Sequence, residues 1–204
     1  MATRRALVLS ALSVLPLLAL RPASAAADAA AREAKARGYF TDTVLQAQDG
    51  RSLRFYSDVL KDQVVLVNFV FTECGDSCPL ITHKLLQARQ ALGAQAREVR
   101  YVSITIDPER ETPQTMAAFA RKHGAVDPQW LWLSGSKANI DLVTKRLGAY
   151  TETREEHFTG LIVGNLRTDR WVKIRPDAPP QAIAEQLRRV GELDGPSAAA
   201  ARAP

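Results

Sequence analysis

The chain has 204 residues and a formal net charge of +5, from 27 Lys and Arg against 22 Asp and Glu. Three of the arginines, Arg4, Arg5 and Arg21, lie in an N-terminal segment without acidic residues, which leaves 24 basic and 22 acidic side chains elsewhere. This near balance, without a basic stripe interleaved with aromatic residues, argues against nucleic acid as a partner, and the remaining residues, about 180, suffice for one domain with a sizeable core.

The first 25 residues have the composition of a secretory signal peptide. Arg4 and Arg5 give a basic start, residues 6–20 form an apolar core, and Ala23-Ser24-Ala25 is a small-residue cleavage site. The apolar core is shorter than the roughly 20 residues of a membrane-spanning helix, and an uncleaved inner-membrane anchor is the alternative. We predict an exported, periplasmic protein, divided into a signal peptide (1–25), a loose or helical tether (26–40), a folded domain (41–191) and a disordered tail (192–204).

Apolar and alternating runs predict the strands in chain order. Asp49-Gly50 favours a tight hairpin turn between residues 43–48 and 52–55. Residues 64–70 form an apolar, β-branched run, which is typical of a strand buried on both faces of a sheet. Further strands are predicted at residues 98–106, 130–133, 159–164 and 170–174.

Helices are predicted between these strands from capping residues, from prolines at first-turn positions and from apolar side chains at helical spacing. They cover residues 79–92, 113–123, 137–148 and 180–190, with a turn or short helical piece at 57–61. Thr112 and Ser136 are the expected N-caps of the second and third helices. Gly124 and Gly148 are expected at the ends of the same two helices.

The only two cysteines, Cys74 and Cys78, follow the buried strand directly and precede the first predicted helix. Both thiols therefore lie on a strand-to-helix turn, where the helix dipole favours thiolate over thiol. A purely structural disulfide is the less favoured interpretation, because a bridge that closes so short a loop removes little chain entropy. A thiol pair of this kind either exchanges electrons as dithiol and disulfide or binds a soft metal.

The element order is a hairpin, three strand–helix units with the cysteines in the first, and a final strand–strand–helix unit. Alternating strands and helices predict an α/β domain with a mixed sheet and helices on both faces. A cysteine-containing turn in this context is typical of the thioredoxin-like fold, here with an N-terminal β-hairpin extension. Neither an internal repeat nor a second domain boundary is evident.

Three segments resemble signatures of the Sco/SenC copper proteins, in the order of that family. FTECGDSCP (71–79) is similar to the family's Cys-x-x-x-Cys-Pro segment. SITIDPERETPQTMAAFARKHG (103–124) resembles its second signature, in which an apolar strand ends in Asp-Pro and a helix follows Thr-Pro. EEHFTGLIVGN (155–165) resembles the third, in which a histidine leads into a strand. In all, the resemblance covers roughly residues 43–190.

The resemblance implies a thioredoxin-like fold and one copper ion per monomer, as Cu(I) or Cu(II), bound by two thiolates and one histidine. By position these ligands are Cys74, Cys78 and His157. It also implies copper delivery to the dinuclear copper centre of cytochrome c oxidase, so the copper-bearing subunit of that oxidase is an expected partner. A periplasmic thiol reductant and another copper chaperone are the further expected partners.

The residue types agree with this implication independently. Two thiolates and an imidazole are a soft ligand set that suits copper, with zinc as the main competitor. His157 stands before a strand, in the slot where thioredoxins place a cis-proline opposite the cysteines, whereas His83 and His123 fit a helix surface and a helix end. Asp76 and Glu156 are candidates for orienting His157 or supplying negative charge, the alternative being solvated loop carboxylates.

Two function classes stay open. The first is a non-enzymatic copper carrier for oxidase assembly, and the second is a thiol-disulfide oxidoreductase that reduces cysteines of the oxidase or of another exported client. His157 discriminates between them, because dithiol exchange needs no histidine ligand. A peroxidase is disfavoured, because the residues that flank the cysteines differ from a peroxidatic site. Asp107 and Arg110 are expected to organise a loop near the site rather than to bind metal.

Overall fold

The computed structural model describes residues 23–154 and 156–193. The chain divides into two compact units, residues 1–34 and 35–204. Helix α1 (Ala23–Phe40) begins in the first unit, and its end and all later described elements belong to the second. The predicted signal peptide up to residue 22 and the predicted tail from residue 194 lie outside the described residues. No helix in the described ranges is both long and apolar enough to cross a membrane.

Seven strands and four further helices follow α1 in the described part of the chain, in the predicted order. The strands are β1 (Val44–Ala47), β2 (Ser52–Arg54), β3 (Val64–Val70), β4 (Val99–Thr105), β5 (Trp130–Ser134), β6 (Leu161–Asn165) and β7 (Arg170–Ile174). The helices are α2 (Ser77–Leu92), α3 (Pro113–Lys122), α4 (Lys137–Arg146) and α5 (Pro180–Gly191). The chain also forms a π-helical turn over Phe55–Leu60, near the predicted piece at 57–61, and a 3-10 helix over Gly93–Glu98.

The strands form one mixed sheet in the order β2-β1-β5-β4-β3-β6-β7. β4 is parallel to both β3 and β5, and the other neighbouring pairs are antiparallel. The predicted hairpin extends the sheet at one edge, because β1 pairs with β5. The predicted α/β class with a mixed sheet is confirmed.

Strand β3 is buried along its whole length, because it has a strand on each side and helices over both faces. All of its residues are buried. Side chains of α2, α3 and α5 pack on one face of the sheet, and those of α4, the π-helical turn and the end of α1 pack on the other. Asn68, the polar residue in this apolar run, accepts a hydrogen bond from Ser103 Oγ (2.7 Å), and that oxygen accepts one from Trp130 Nε1 (2.9 Å). Polar groups on three adjacent strands thus satisfy one another inside the core.

Local capping explains where the middle helices begin. Thr112 Oγ1 accepts from the N–H of Thr115 (3.2 Å), and Thr115 Oγ1 accepts from the N–H of Thr112 (2.9 Å), so the two residues form a capping box at α3. Ser136 Oγ accepts from the N–H of Asn139 (3.3 Å) at the start of α4. Both predicted N-caps are therefore confirmed.

The limits of the folded domain differ from the predicted 41–191 at both ends. The predicted tether is helical in α1, and Phe40 at its end is buried, with its ring 4.8 Å from that of Trp171. At the other end, the assignment of Leu193 to a disordered tail is wrong, because its side chain is buried and its N–H donates to the Arg188 carbonyl (3.0 Å). Burial of these apolar side chains removes surface from water and extends the core past the predicted limits.

Strand directions bring three loops to the same end of the sheet, where β3 and β4 finish. β3 and β4 are parallel, with Val70 opposite Thr105, so the segments that follow them leave the sheet side by side. β6 is antiparallel to β3, with Val67 opposite Ile162, so the segment that precedes β6 lies at the same end of the sheet. We call these segments the cysteine loop (71–76), the Asp-Pro loop (106–112) and the histidine loop (151–154 and 156–160).

Candidate metal and thiol site

Cys74 and Cys78 are free thiols at the start of α2. Cys74 lies in the cysteine loop, where its N–H donates to the Phe71 carbonyl (3.1 Å), and Cys78 is in the first turn of the helix. Only 1% of Cys78 is exposed, whereas Cys74 is partly exposed. The predicted position of both thiols on a strand-to-helix turn is confirmed, but their environments differ.

The Cys74 sulfur accepts a hydrogen bond at the position where a helix normally has an N-cap side chain. Asp76, the residue before α2, makes no side-chain capping bond. Instead, the Cys78 N–H donates to Cys74 Sγ (3.3 Å), and Ser77 Oγ lies 3.4 Å from the same sulfur. Burial raises the pKa of Cys74, but the hydrogen bonds from Ser77, Cys78 and the Asp76 N–H outweigh it and lower the pKa to about 7. Cys74 therefore forms the thiolate of the pair near neutral pH.

Cys78 is the protonated member of the pair. Burial raises its pKa to about 12, and the neighbouring Cys74 sulfur acts in the same direction. Cys78 Sγ lies 3.9 Å from Nε2 of His157, in the buried space between the cysteine loop and the histidine loop.

The two thiols are therefore expected to differ in reactivity in the reduced, metal-free protein. Because the thiolate is the nucleophile, alkylation of Cys74 by iodoacetamide should speed up as pH rises through about 7 and then level off. Cys78 should stay unmodified over the same range, since its pKa is about 12. Mass spectrometry that locates the adduct on each cysteine at successive pH values measures this. Equal modification of both cysteines at neutral pH would contradict the assignment.

His157 presents an unprotonated ring nitrogen to the buried thiol. Its Nδ1 lies 2.8 Å from the carbonyl oxygen of Arg154, and since a carbonyl only accepts hydrogen bonds, Nδ1 carries the proton. Nε2 of the neutral ring then has an unprotonated lone pair on the side of Cys78. Burial lowers the pKa of His157, against the opposing effect of the Arg154 bond, and this favours the neutral ring. The Phe71 ring packs edge-on to the imidazole, with centroids 5.3 Å apart.

The structure thus brings Cys78 and His157 together and places Cys74 beside Cys78. Within residues 23–154 and 156–193, however, no three His, Cys, Asp or Glu side chains are gathered closely enough to hold a metal ion as they stand. The Cys74 sulfur is engaged by Ser77 and the Cys78 N–H, so coordination by all three side chains requires a local movement. The donor set itself, two sulfurs and a neutral imidazole nitrogen, fits a soft metal such as copper.

The other sequence candidates lie outside this cluster. Asp76 and Glu156 are exposed, so their role in orienting His157 stays a prediction, and the orientation seen comes from the Arg154 carbonyl. His83 is exposed on α2, as its position on a helix surface predicts.

Glu111 of the Asp-Pro loop supports the cysteine loop, a role that the sequence analysis missed. It is 5% exposed, and its carboxylate accepts hydrogen bonds from the Thr72 N–H and from Thr105 Oγ1 (2.5 Å). Its own carbonyl accepts one from Ser134 Oγ (2.5 Å). One buried acid thus connects the ends of β3, β4 and β5. Glu111 stands between the Asp-Pro and Thr-Pro pairs of the second signature, but its partners Thr72 and Ser134 lie 39 and 23 positions away in the sequence.

Replacement of Glu111 by Ala is expected to lower the free energy of unfolding by about 3 kcal/mol, because the buried Thr105 hydroxyl and the partly buried Thr72 N–H lose their acceptor. Urea unfolding of the reduced, metal-free protein measures this change. The matched control is Glu109→Ala, an exposed acid in the same loop, which should change stability by less than about 0.5 kcal/mol. Equal stabilities of the two variants would show that the Glu111 contacts do not hold the loop.

Arg154 is the second supporting residue that the sequence analysis missed. Its guanidinium bridges Glu73 of the cysteine loop and Asp107 of the Asp-Pro loop. Asp107 also pairs with Arg110 (3.0 Å), which agrees with the expected role of these two residues in organising their loop. A basic residue among acids shortly before His157 was the only signal in the sequence.

Comparison with known proteins matches the chain to one family, both by sequence profile and by individual relatives. The sequence profile of the SCO1/SenC family matches residues 32–190. The SCO1 protein homolog of Bacillus subtilis is 33% identical over 97 residues, which are 47% of this chain and 49% of that protein. The chain thus aligns with about half the length of the curated relatives that it matches.

Solved structures share the fold. Bradyrhizobium japonicum ScoI with copper bound superposes with a TM-score of 0.60 at 28% identity, over 72% of this chain and 96% of that one. BsSco, a member of the Sco family of cytochrome c oxidase assembly proteins with a disulfide switch, superposes with a TM-score of 0.64 at 24% identity, over 76% of this chain and 94% of that one. The second likeness is evidence for the fold alone.

Proposed function

This chain belongs to the SCO1/SenC family, and on that premise we propose that it is a copper-binding assembly protein for cytochrome c oxidase. It binds one copper ion, as Cu(I) or Cu(II), through Cys74, Cys78 and His157. It delivers the ion as cargo to the oxidase subunit that bears the dinuclear copper centre. The observation that carries this proposal is a pair of free thiols beside a histidine whose Nε2 lone pair faces Cys78 Sγ at 3.9 Å.

The protonation states of the three side chains support copper binding at this site. Cys74, with a pKa lowered to about 7, supplies a thiolate near neutral pH. Cys78, with a pKa raised to about 12, must give up a proton when a metal binds, so binding releases a proton to solvent. His157 is already neutral and needs no deprotonation. The bound copper contributes the soft acceptor that makes thiolate at Cys78 favourable.

The proposed place of action is the periplasm. The basic start, apolar core and small-residue cleavage site of residues 1–25 support export. Cell fractionation with an antibody against the folded domain tests this, and a full-length precursor retained in the cytoplasm would contradict it.

A second candidate function is thiol-disulfide exchange, favoured by the difference between the two thiols. The partly exposed Cys74 thiolate would attack a client disulfide, form a mixed disulfide and release one client thiolate. The Cys78 thiol, once deprotonated, would then attack Cys74 Sγ and release the second. The client gains two electrons, this protein becomes the disulfide, and a periplasmic thiol reductant restores it.

One experiment with two arms separates the candidates. In the first arm, copper-loaded protein is mixed with the reduced, metal-free copper-bearing domain of the oxidase, the two proteins are separated, and metal analysis should find copper on that domain. In the second arm, reduced, metal-free protein is mixed with the disulfide form of that domain, and free client thiols are counted. Signal in the first arm supports copper delivery, and signal in the second alone supports the alternative. The Cys74→Ser/Cys78→Ser protein is the control and should be silent in both arms.

A further inference from the structure

Arg154 connects the histidine loop to both other loops through its side chain. A single guanidinium nitrogen, Nη1, lies 2.9 Å from Asp107 Oδ2 and 3.1 Å from Glu73 Oε2. The guanidinium carbon lies 5.4 Å from the centre of the Phe71 ring, at a distance typical of a cation–π contact. The same Phe71 ring packs against His157.

The backbone of Arg154 holds the candidate ligand itself. Its carbonyl oxygen lies 2.8 Å from His157 Nδ1 and also accepts the His157 backbone N–H (3.4 Å). One residue thus contacts the two neighbouring loops through its side chain and the His157 ring through its carbonyl, and a carbonyl acceptor at this point keeps the proton on Nδ1. Nε2 is left unprotonated and can accept a hydrogen bond from the Cys78 thiol.

We propose that Arg154 is a positioning residue: by pairing with Asp107 and Glu73 it holds the carbonyl that sets the tautomer and direction of His157. This inference rests on the proposed copper site for its consequence, because a histidine ligand must present an unprotonated nitrogen. Arg154 does not bind the metal. It couples the acidic side chains of two loops to the ring on a third.

The ion pairs of Arg154 with Asp107 and with Glu73 differ in strength. The Asp107 side chain is 8% exposed, whereas that of Glu73 is 69% exposed, so solvent and salt screen the Glu73 pair far more. The Asp107 pair therefore carries most of the anchoring. Asp107 also keeps Arg110 as a partner when Arg154 is replaced, so no buried carboxylate is left without a cation. Substitution of Arg154 should thus disturb the histidine loop without unfolding the protein.

Three variants separate positioning from general stability. Arg154→Gln removes the charge and both ion pairs. Arg154→Lys keeps a positive charge that can pair with Asp107 or Glu73, and it should restore part of the effect. Arg110→Gln is the matched control, because Arg110 contacts the same Asp107 but does not belong to the histidine loop.

The first readout needs no metal. Long-range ¹H–¹⁵N correlation spectra of the reduced, metal-free proteins report which nitrogen of His157 carries the proton. Wild type and Arg110→Gln should show the Nδ1–H tautomer, and Arg154→Gln should show signals averaged between the two tautomers. The second readout is Cu(I) affinity by chelator competition, which should fall about tenfold in Arg154→Gln and change by less than about twofold in Arg110→Gln.

The outcomes are distinct. An Arg154→Gln protein that keeps the wild-type tautomer overturns the positioning role, and so does one that keeps wild-type copper affinity. A tautomer change in Arg154→Gln alone, rescued in part by Arg154→Lys, supports it. If wild-type protein shows the Nδ1–H tautomer but binds no copper, the proposed function fails while the tautomer data still decide the role of Arg154. Thermal melts of all four proteins confirm that each variant is folded.

Discussion

His157→Ala is expected to lower the Cu(I) affinity of the reduced protein by at least about 100-fold, since loss of an outer partner of a ligand alone costs about 10–100-fold. The reason is that His157 offers the nitrogen donor facing Cys78 Sγ, at 3.9 Å, and Ala offers none. The thiolate-to-copper absorption of the Cu(II) form should also shift, because its intensity and energy depend on the ligand set. Competition titration with a chromophoric chelator and visible spectroscopy measure the two effects.

The matched control is His83→Ala. His83 is exposed on α2, the helix that also carries Cys78. The variant therefore tests whether loss of another histidine on that helix also lowers copper affinity. The copper affinity and visible spectrum of the His83→Ala protein should equal those of wild type. A His157→Ala protein with wild-type stoichiometry, spectrum and affinity would remove His157 from the ligand set and shift the balance toward thiol-disulfide exchange.

Oxidation of Cys74 and Cys78 to a disulfide is expected to abolish copper binding at this site. Metal ligands of this type must be thiolates, and an oxidised pair has no thiolate charge to offer Cu(I). The protein must therefore be reduced before it can load, and its redox state acts as the loading switch. The prediction is tested by complete oxidation, confirmation that free thiol is lost, and titration with Cu(I) against a chelator.

The reduction potential of the pair reflects two opposing effects, but the exclusion does not depend on its value. The short loop makes the disulfide easy to close, whereas hydrogen bonds at the start of α2 stabilise the Cys74 thiolate and make the disulfide easier to reduce. The Cys74→Ser/Cys78→Ser protein is the control, because oxidant should leave its residual copper binding unchanged. Retention of copper by the oxidised wild type at the reduced protein's affinity would show that the cysteines are not the site.

The element order and most boundaries were predictable because they depend on local interactions. The apolar run of β3, the Thr112 cap of α3 and the Ser136 cap of α4 are each encoded within a few neighbouring residues. The two thiols are likewise close in sequence, so their strand-to-helix turn could be predicted. The ends of the domain were misjudged, because burial of Phe40 and Leu193 depends on partners elsewhere in the fold.

Only part of the candidate site could be predicted from the sequence. Cys74 and Cys78 follow from spacing, and His157 followed from the slot before its strand and from family resemblance. The contact between Cys78 and His157 spans 79 positions in the chain, and the antiparallel pairing of β6 with β3 brings it about. No local pattern reports that distance.

By itself, the sequence determined the cysteine turn, the alternation of strands and helices, and the soft donor set, because these depend on residue type and short spacing. The turn predicted thiolate character for both cysteines, and only the tertiary structure decided that burial raises the pKa of Cys78 whereas hydrogen bonds to sulfur lower the pKa of Cys74. It also decided which groups hold His157. The partners of Arg154 come from separate loops that meet only because β3 and β4 run parallel and β6 runs against them.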